Sequence, residues 1–269
     1  MSVEDLAREL KAAQDERRPL VPPSSRVSGF DTKIAYEVAR LIHEARLREG
    51  ARPVGRKIGF TNRDIWPVYG VFEPIWAHVY DTTVARLAGP RATCRIGRFV
   101  PDPRIEPEIV LHFRTAPPPG DDLAAVLACV DWIAHGFEIV QSHFPDWKFQ
   151  AADSIADSSL HGTLLVGEPR SVDTLGPDLA ARLEQFTIAL ECDGAVRDRG
   201  RGANALGSPL AAVAHLTSVL SAQRAPAIQA GELVTTGTLT QAPLIHAGET
   251  WSTTLDGIDL PGLRVTFEA

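Results

Sequence analysis

Two carboxylates lie two residues apart within residues 104–110, whose sequence is RIEPEIV. The alternation is typical of a β-strand, which would place Glu106 and Glu108 on one face and the isoleucines on the other. Two like charges this close raise each other's pKa unless a positive group lies between them, and a hard divalent cation with oxygen ligands is the usual such group. The alternative is an edge strand whose glutamates both lie in water.

A third glutamate favours the metal over the edge strand. Glu138 lies in an otherwise apolar stretch, residues 135–140, where an unpaired charge would cost free energy. Three glutamates from two segments suit Mg²⁺ or Mn²⁺, which keep positions open for water and substrate. The sequence therefore predicts a Mg²⁺ or Mn²⁺ site formed by Glu106, Glu108 and Glu138.

The composition limits the kind of protein and the kind of partner. The 269 residues are 44% hydrophobic and 23% charged, as in a globular chain with one large core or two modest ones. The formal net charge of −7 and the lack of a basic cluster interleaved with aromatic residues argue against nucleic-acid binding. We therefore expect a small-molecule partner.

The cysteines and the N-terminal residues predict the location. Cys94, Cys129 and Cys192 are far apart and lack a C-x-x-C spacing, as expected for reduced thiols of a cytoplasmic protein. The first residues are acidic where a signal peptide would be basic, and we find no segment long enough to span a membrane. We expect a cytoplasmic protein without a membrane partner.

The elements that must position the glutamates follow an α+β order. Residues 1–52 predict two helices on either side of a proline-rich joint at residues 19–23, and residues 53–269 predict a β-rich core with a few packed helices. We therefore predict an N-terminal helical segment, 1–52, and a β-rich metal-binding catalytic core, 53–269. Within the core, strands are predicted at residues 163–166, 187–190 and 263–267, and helices at residues 121–135 and 209–222, the last with Ser208 as its N-cap.

Seven short motifs occur along almost the whole chain in a characteristic order and spacing. They are GRKIGFT at 55–61, YGV at 69–71, IEPEI at 105–109, FEIV at 137–140, DSIAD at 153–157, GRGANALGSPL at 200–210 and TGT at 236–238. Together they resemble the 2-keto-4-pentenoate hydratase and 4-oxalocrotonate decarboxylase family, whose fold is related to the C-terminal domain of fumarylacetoacetate hydrolase. The resemblance implies a mixed β-rich core of that type and a homo-oligomer.

The resemblance also implies roles for single residues. The ion bound by the three glutamates would chelate a short 2-oxo acid. Lys57 would hold the substrate carboxylate or stabilise a developing enolate, unless it is a surface lysine after a turn. Asp153 and Asp157 would be outer partners that hold the site residues or would act as proton carriers, with loop and helix caps as the alternative. Thr238 would bind the substrate carboxylate, unless the TGT motif is a plain turn.

The resemblance determines the reaction less firmly than it determines the site residues. We predict a metal-dependent hydratase of 2-hydroxypenta-2,4-dienoate in aromatic catabolism, with a 4-oxalocrotonate-type decarboxylase as the alternative. Many hydratases of the family have an acid in a Pro-Asp-aromatic-Gly stretch where this chain has Ile75, and Leu160 ends a pattern that is usually Ala-Asp-Asn-x-Ser. A third hypothesis is therefore a silent homologue that binds a keto acid or supports a hydratase–decarboxylase complex.

Overall fold

The computed structural model describes residues 1–269 and contains seven α-helices and thirteen strands. The helices are α1 Val3–Glu16, α2 Thr32–Arg48, α3 Trp66–Tyr69, α4 Leu123–Ala128, α5 Ala151–Ala156, α6 Leu179–Gln185 and α7 Pro209–Ala222. The strands are β1 Pro53–Gly59, β2 Ile75–Tyr80, β3 Val84–Arg86, β4 Arg91–Arg95, β5 Arg104–Phe113, β6 Val130–Val140, β7 His161–Val166, β8 Arg170–Ser171, β9 Thr187–Cys192, β10 Ala195–Arg201, β11 Leu233–Thr235, β12 Thr250–Asp256 and β13 Arg264–Glu268. The predicted α+β fold with N-terminal helices is confirmed.

The N-terminal helices have clear sequence signals at their starts. Ser2 and Asp5 form a reciprocal capping box at α1, and Asp31 caps α2 by accepting a hydrogen bond from the backbone N–H of Ile34. The buried faces of both helices belong to one apolar cluster with residues of the β-rich core, among them Phe60 and Phe144. The predicted division into domains 1–52 and 53–269 stays a prediction, but the helices do pack directly on the core.

The larger sheet holds the predicted site. Its strand order is β2-β1-β11-β5-β6-β7-β3, with β8 also paired to β6. Strand β1 runs parallel to β11, and β5 runs antiparallel to β6 over most of the length of both strands. The face that carries Glu106 and Glu108 continues along β5 to the buried Val110, so the polar residues occupy one end of a face whose middle is apolar.

The smaller sheet closes the core from the other side. Its order is β10-β9-β12-β13-β4. Apolar side chains from this sheet, including Trp251 and Val265, pack against Phe137 and Ile139 of β6. Phe137 and Ile139 flank Glu138 in sequence and point to the opposite face, so packing against the smaller sheet fixes the direction of the glutamate.

The predicted helix over residues 121–135 is wrong in its second half. The helix ends at Ala128, and the chain continues as β6 from Val130. The apolar spacing from Leu123 to Val130 fits a helical period, but Val130, Trp132 and Ile133 have high strand propensity and pair with β5. The pairing with β5 therefore overrides the local periodicity.

Helix α7 matches its prediction, including the cap, since Ser208 Oγ accepts a hydrogen bond from the backbone N–H of Leu210. Contrary to the expectation from the sequence, residues 202–222 are long and apolar enough to cross a membrane by length and composition, with mean hydropathy 1.4. However, 56% of the 18-residue apolar stretch within these residues is buried inside the fold, where α7 packs within the largest apolar cluster. Burial in the core accounts for its apolar composition.

We expect Gly55→Ala to destabilise the sheet. A Cβ at Gly55 would lie 2.0 Å from the carbonyl oxygen of Leu233 on the neighbouring strand, a backbone atom that cannot move without disturbing the pairing. The free energy of unfolding should fall by about 2 kcal/mol, as for other overpacked sites. Urea denaturation measures the change, with Gly97→Ala as a control because a Cβ there meets nothing within 4 Å. Equal stabilities of the two variants would contradict the expectation.

Candidate metal and substrate site

The three predicted glutamates meet at one point of the larger sheet. Glu106 on β5 lies directly opposite Glu138 on β6, and Glu108 follows two residues later on the same face. Each glutamate offers one carboxylate oxygen, and these oxygens all lie within 4.8 Å of one another. Glu108 and Glu138 are buried and Glu106 is half-buried, so the alternative of an edge strand with both glutamates in water is wrong.

Glu108 is held by the turn that follows β11. Its Oε2 accepts hydrogen bonds from Thr235 Oγ1 and, at 2.8 Å, from the backbone N–H of Gly237. Gly237 has φ of 92°, and a Cβ there would lie 1.9 Å from Thr61 Oγ1. Only glycine fits this position without strain, so the TGT motif orients a carboxylate.

Glu138 is held from a different direction. Its Oε1 accepts from Lys57 Nζ at 2.8 Å and lies 2.6 Å from His161 Nδ1. Its Oε2 is buried and has no hydrogen-bond partner in the protein. Lys57 itself is 2% exposed, so the alternative of a surface lysine is wrong.

The pKa shifts follow from burying three carboxylates with one lysine. Burial raises the pKa of Glu106 to about 7, against the opposing effect of Lys57, and burial with two like charges raises that of Glu108 well above its usual value. Burial would also raise the pKa of Glu138, but Lys57 and His161 outweigh it and lower the pKa to about 2. Burial would lower the pKa of Lys57, yet the three glutamates raise it, so the lysine stays charged.

The donor set fits a hard divalent cation. All three groups offer carboxylate oxygens, which Mg²⁺ and Mn²⁺ prefer. One lysine does not neutralise three buried carboxylates, and a dication would relieve the repulsion that raises the pKa values of Glu106 and Glu108. The unpartnered Oε2 of Glu138 is a buried acceptor of the kind that otherwise costs about 1–3 kcal/mol.

A small cavity of about 20 Å³ adjoins Glu106 and Lys57. Besides Lys57 and Glu106, its wall consists of Gly59, Phe60, Ile65, Tyr69, Val140, Trp147, Ser159 and Leu160. Four of these residues have left-handed backbone conformations that cost about 1–3 kcal/mol each outside glycine: Phe60, Trp147, Ser159 and Leu160, with φ between 51° and 63°. Backbone strain is therefore concentrated around this cavity, as is common at functional sites.

The structure places Asp153 away from the cavity wall. Its carboxylate accepts hydrogen bonds from the backbone N–H of Ser24 and of Gln150, both at 2.8 Å, and from Ser24 Oγ. It thereby caps α5 and fastens the joint between the N-terminal helices to the core. These contacts account for the burial of Asp153. Its catalytic role stays a prediction, and the contacts do not support it.

Asp157 also lies outside the cavity wall, paired with His143. Asp157 Oδ1 lies 2.8 Å from His143 Nδ1 and accepts a hydrogen bond from Gln14 Nε2 of α1 at 3.1 Å. Burial would lower the pKa of His143, but the Asp157 carboxylate outweighs burial and raises it. Asp157 therefore anchors the segment that begins with Ser158 to the N-terminal helices. Its proton-transfer role also stays a prediction.

Thr238 binds its own turn. Its hydroxyl donates to the carbonyl oxygen of Thr240 at 3.0 Å and accepts from the backbone N–H of the same residue. The turn that was the alternative for this motif is therefore present, and substrate binding by Thr238 stays a prediction. Ile75, which stands where many hydratases have an acid, is 1% exposed and packs in the apolar cluster of the N-terminal helices.

Three residues that contact the glutamates were not predicted. Thr235 and Gly237 hold Glu108, and the TGT motif that contains Gly237 was a signal for the turn but not for its contact with the carboxylate. His161 holds Glu138, and a single histidine in the sequence carries no signal for that role. No role was predicted for Ser159 from the sequence, yet its hydroxyl is buried beside the cavity without a partner.

Known proteins are similar to this chain over most of its length. The family described as "Fumarylacetoacetate (FAA) hydrolase C-terminal" matches residues 71–266. The 2-keto-4-pentenoate hydratase 2 of Dechloromonas aromatica is 30% identical over 96% of this chain and 95% of its own length. The 2-hydroxypent-2,4-dienoate hydratase of Pseudomonas putida is 32% identical over 81% of this chain and 95% of its own length.

A solved structure is similar in fold over nearly the full length. The 4-oxalocrotonate decarboxylase from Pseudomonas putida G7, complexed with magnesium and adipate, superposes with a TM-score of 0.87. It is 25% identical to this chain, and the match covers 98% of this chain and 97% of the decarboxylase. The resemblance drawn from the sequence motifs is thus confirmed.

The His143–Asp157 pair should make stability depend on pH. The folded pKa of His143 is raised above the unfolded value of about 6.5, so its contribution is complete below pH 6.5 and is lost as the pH rises through the folded pKa. Asp157→Asn should lower the free energy of unfolding by about 3 kcal/mol at pH 6, as for a broken buried pair. The loss should shrink toward pH 9, as measured by urea denaturation. A pH-independent difference from the wild type would contradict this.

Proposed function

The chain belongs to the fumarylacetoacetate hydrolase family, and on that premise we propose that it is a divalent-metal-dependent lyase acting on a short 2-hydroxydienoate or 2-oxo acid. The single observation that carries the proposal is the meeting of Glu106, Glu108 and Glu138 with the buried Lys57 beside one cavity. A catalytically silent scaffold would have no use for three carboxylates buried at this cost. The retained cluster therefore favours an enzyme.

In this proposal Glu106, Glu108 and Glu138 hold Mg²⁺ or Mn²⁺. The bound ion supplies Lewis-acid chemistry by drawing electrons toward the 2-oxo group of the substrate. Lys57 remains protonated and lies beside the same cavity, so it can donate a hydrogen bond to the substrate carboxylate or to negative charge that develops during the reaction.

The cavity wall suits the hydrocarbon part of a dienoate. Phe60, Tyr69 and Trp147 give it an aromatic surface on which a flat conjugated chain would pack once the wall moves outward, because the present volume of about 20 Å³ holds roughly one water molecule. Protic groups along the wall include Lys57, the Tyr69 phenol and the Ser159 hydroxyl. Burial raises the pKa of Tyr69 to about 12, so the phenol is protonated at neutral pH and is a donor in this site.

Hydration is the reaction we favour over decarboxylation. Full-length relatives at about 30% identity are named hydratases of 2-keto-4-pentenoate and 2-hydroxypent-2,4-dienoate. The decarboxylase remains the second candidate because of the structural similarity over the full chain and the apolar Ile75. The proposal places the enzyme in the breakdown of aromatic compounds. A cytoplasmic location, a homo-oligomer and a hydratase–decarboxylase complex stay predictions.

We expect Glu106→Gln to keep the fold and to weaken metal binding by more than about 100-fold, because outer partners of metal ligands alone are worth 10–100-fold. Calorimetric titration with Mn²⁺ measures the affinity, and thermal unfolding checks the fold. The control is Glu232→Gln, since Glu232 pairs with Arg56 and is not part of the glutamate cluster. Wild-type affinity in Glu106→Gln would remove the proposed metal site.

Lys57→Met should lower turnover by about 10²–10³-fold, the range for removing one donor to developing charge. The assay incubates metal-loaded protein with 2-hydroxypenta-2,4-dienoate or 4-oxalocrotonate and follows dienol absorbance and CO₂. Metal-dependent loss of the dienol without CO₂ identifies the hydratase, whereas CO₂ from the diacid identifies the decarboxylase. No reaction of the wild type with either substrate would leave the binding-only scaffold as the better description.

A further inference from the structure

His161 is a buried side chain that connects the glutamate cluster to a surface turn. It begins β7, and 4% of its side chain is exposed. Its Nδ1 lies 2.6 Å from Glu138 Oε1, and its Nε2 lies 2.9 Å from Thr83 Oγ1. Both ring nitrogens therefore have a partner, and one of these partners is a proposed metal ligand.

The direction of the first hydrogen bond follows from the contacts of the glutamate oxygen. Glu138 Oε1 already accepts a hydrogen bond from Lys57 Nζ at 2.8 Å, and a carboxylate oxygen is an acceptor, so His161 Nδ1 donates its proton to the same oxygen. Thr83 is in turn fixed by the same strand, because its carbonyl oxygen accepts from Leu164 N–H at 2.8 Å and from Thr163 Oγ1 at 2.9 Å. The ring is therefore held in orientation at both ends.

Lys57 and His161 share one oxygen of Glu138 and leave the other free. Both bond to Oε1, whereas Oε2 is buried without a partner. In the proposed reaction Lys57 also interacts with the substrate, so it cannot alone keep the carboxylate in place. His161 has no other acidic partner and does not line the cavity.

We propose that His161 is a positioning residue for the metal: it holds Glu138 Oε1, with Thr83 as its support, so that Oε2 is left to bind the divalent ion. The proposal rests on the metal site of the proposed function. Outer partners that orient a metal ligand commonly contribute 10–100-fold to metal affinity. The same donor keeps Glu138 in place while Lys57 turns to the substrate.

The test is direct titration of Mn²⁺ into the whole protein, by calorimetry and by the Mn²⁺ electron paramagnetic resonance signal. We expect His161→Leu to weaken Mn²⁺ binding by about 10–100-fold. His161→Asn should retain most of the affinity, because its amide N–H can take the place of Nδ1–H. Thr83→Val should weaken binding in the same direction as His161→Leu, because the ring then loses its support.

The control is His112→Leu, since His112 pairs with Asp131 near the far end of β5 and should leave the affinity unchanged. Wild-type affinity in His161→Leu, with affinity lost in Glu106→Gln, would overturn the inference and leave the proposed function intact. Wild-type affinity in both would instead refute the metal site. If His161→Leu does not fold, Thr83→Val decides, and an affinity equal to that of the wild type would overturn the inference.

Discussion

The burial of three carboxylates around one lysine is the constraint on which the rest of the site depends. Each charge would be unfavourable alone in the interior, and the three carboxylates repel one another, so the burial is offset only by Lys57 and by the hydrogen-bond donors that surround the cluster. The pairing of β5 with β6 brings Glu106 opposite Glu138, and β1 carries Lys57 toward Glu138 from across the sheet. A shift of one residue in the register would turn the glutamates to the other face. The sheet therefore has to be specified accurately before any chemistry is possible.

The supports of the cluster come from parts of the chain that are distant in sequence. The turn after β11 holds Glu108, and the start of β7 holds Glu138. The strained wall of the cavity is anchored by the neighbouring Asp157, whose partners include a side chain of α1. Long β pairings, tight turns and buried ion pairs thus act together, and the local strain is tolerated because the surrounding contacts determine the backbone.

Much of this arrangement could be predicted because its signals are local. The alternation around Glu106 and the Ser208 cap of α7 depend on neighbouring residues only, and the glutamates meet as the strand pattern indicates. The helix over residues 121–135 failed because a strand partner 20 or so residues away overrode the local period. Aspartate is common both as a catalytic acid and as a helix cap, so only the contacts of Asp153 and Asp157 distinguish the two roles. The role of His161 depends on its contact with Glu138 in another strand, and no spacing in the sequence predicts that contact.

The anchoring of the cavity wall to α1 has a consequence for how such enzymes can diverge. The ligand cluster is encoded between β1 and β7, whereas one anchor of the wall is encoded in the first twenty residues, outside the stretch that matches the family. Substitutions in the N-terminal sequence can therefore change which substrates enter the cavity while the metal-binding residues stay the same. A chimera that exchanges the first twenty residues between homologues would take its type of reaction from one parent and part of its substrate selectivity from the other.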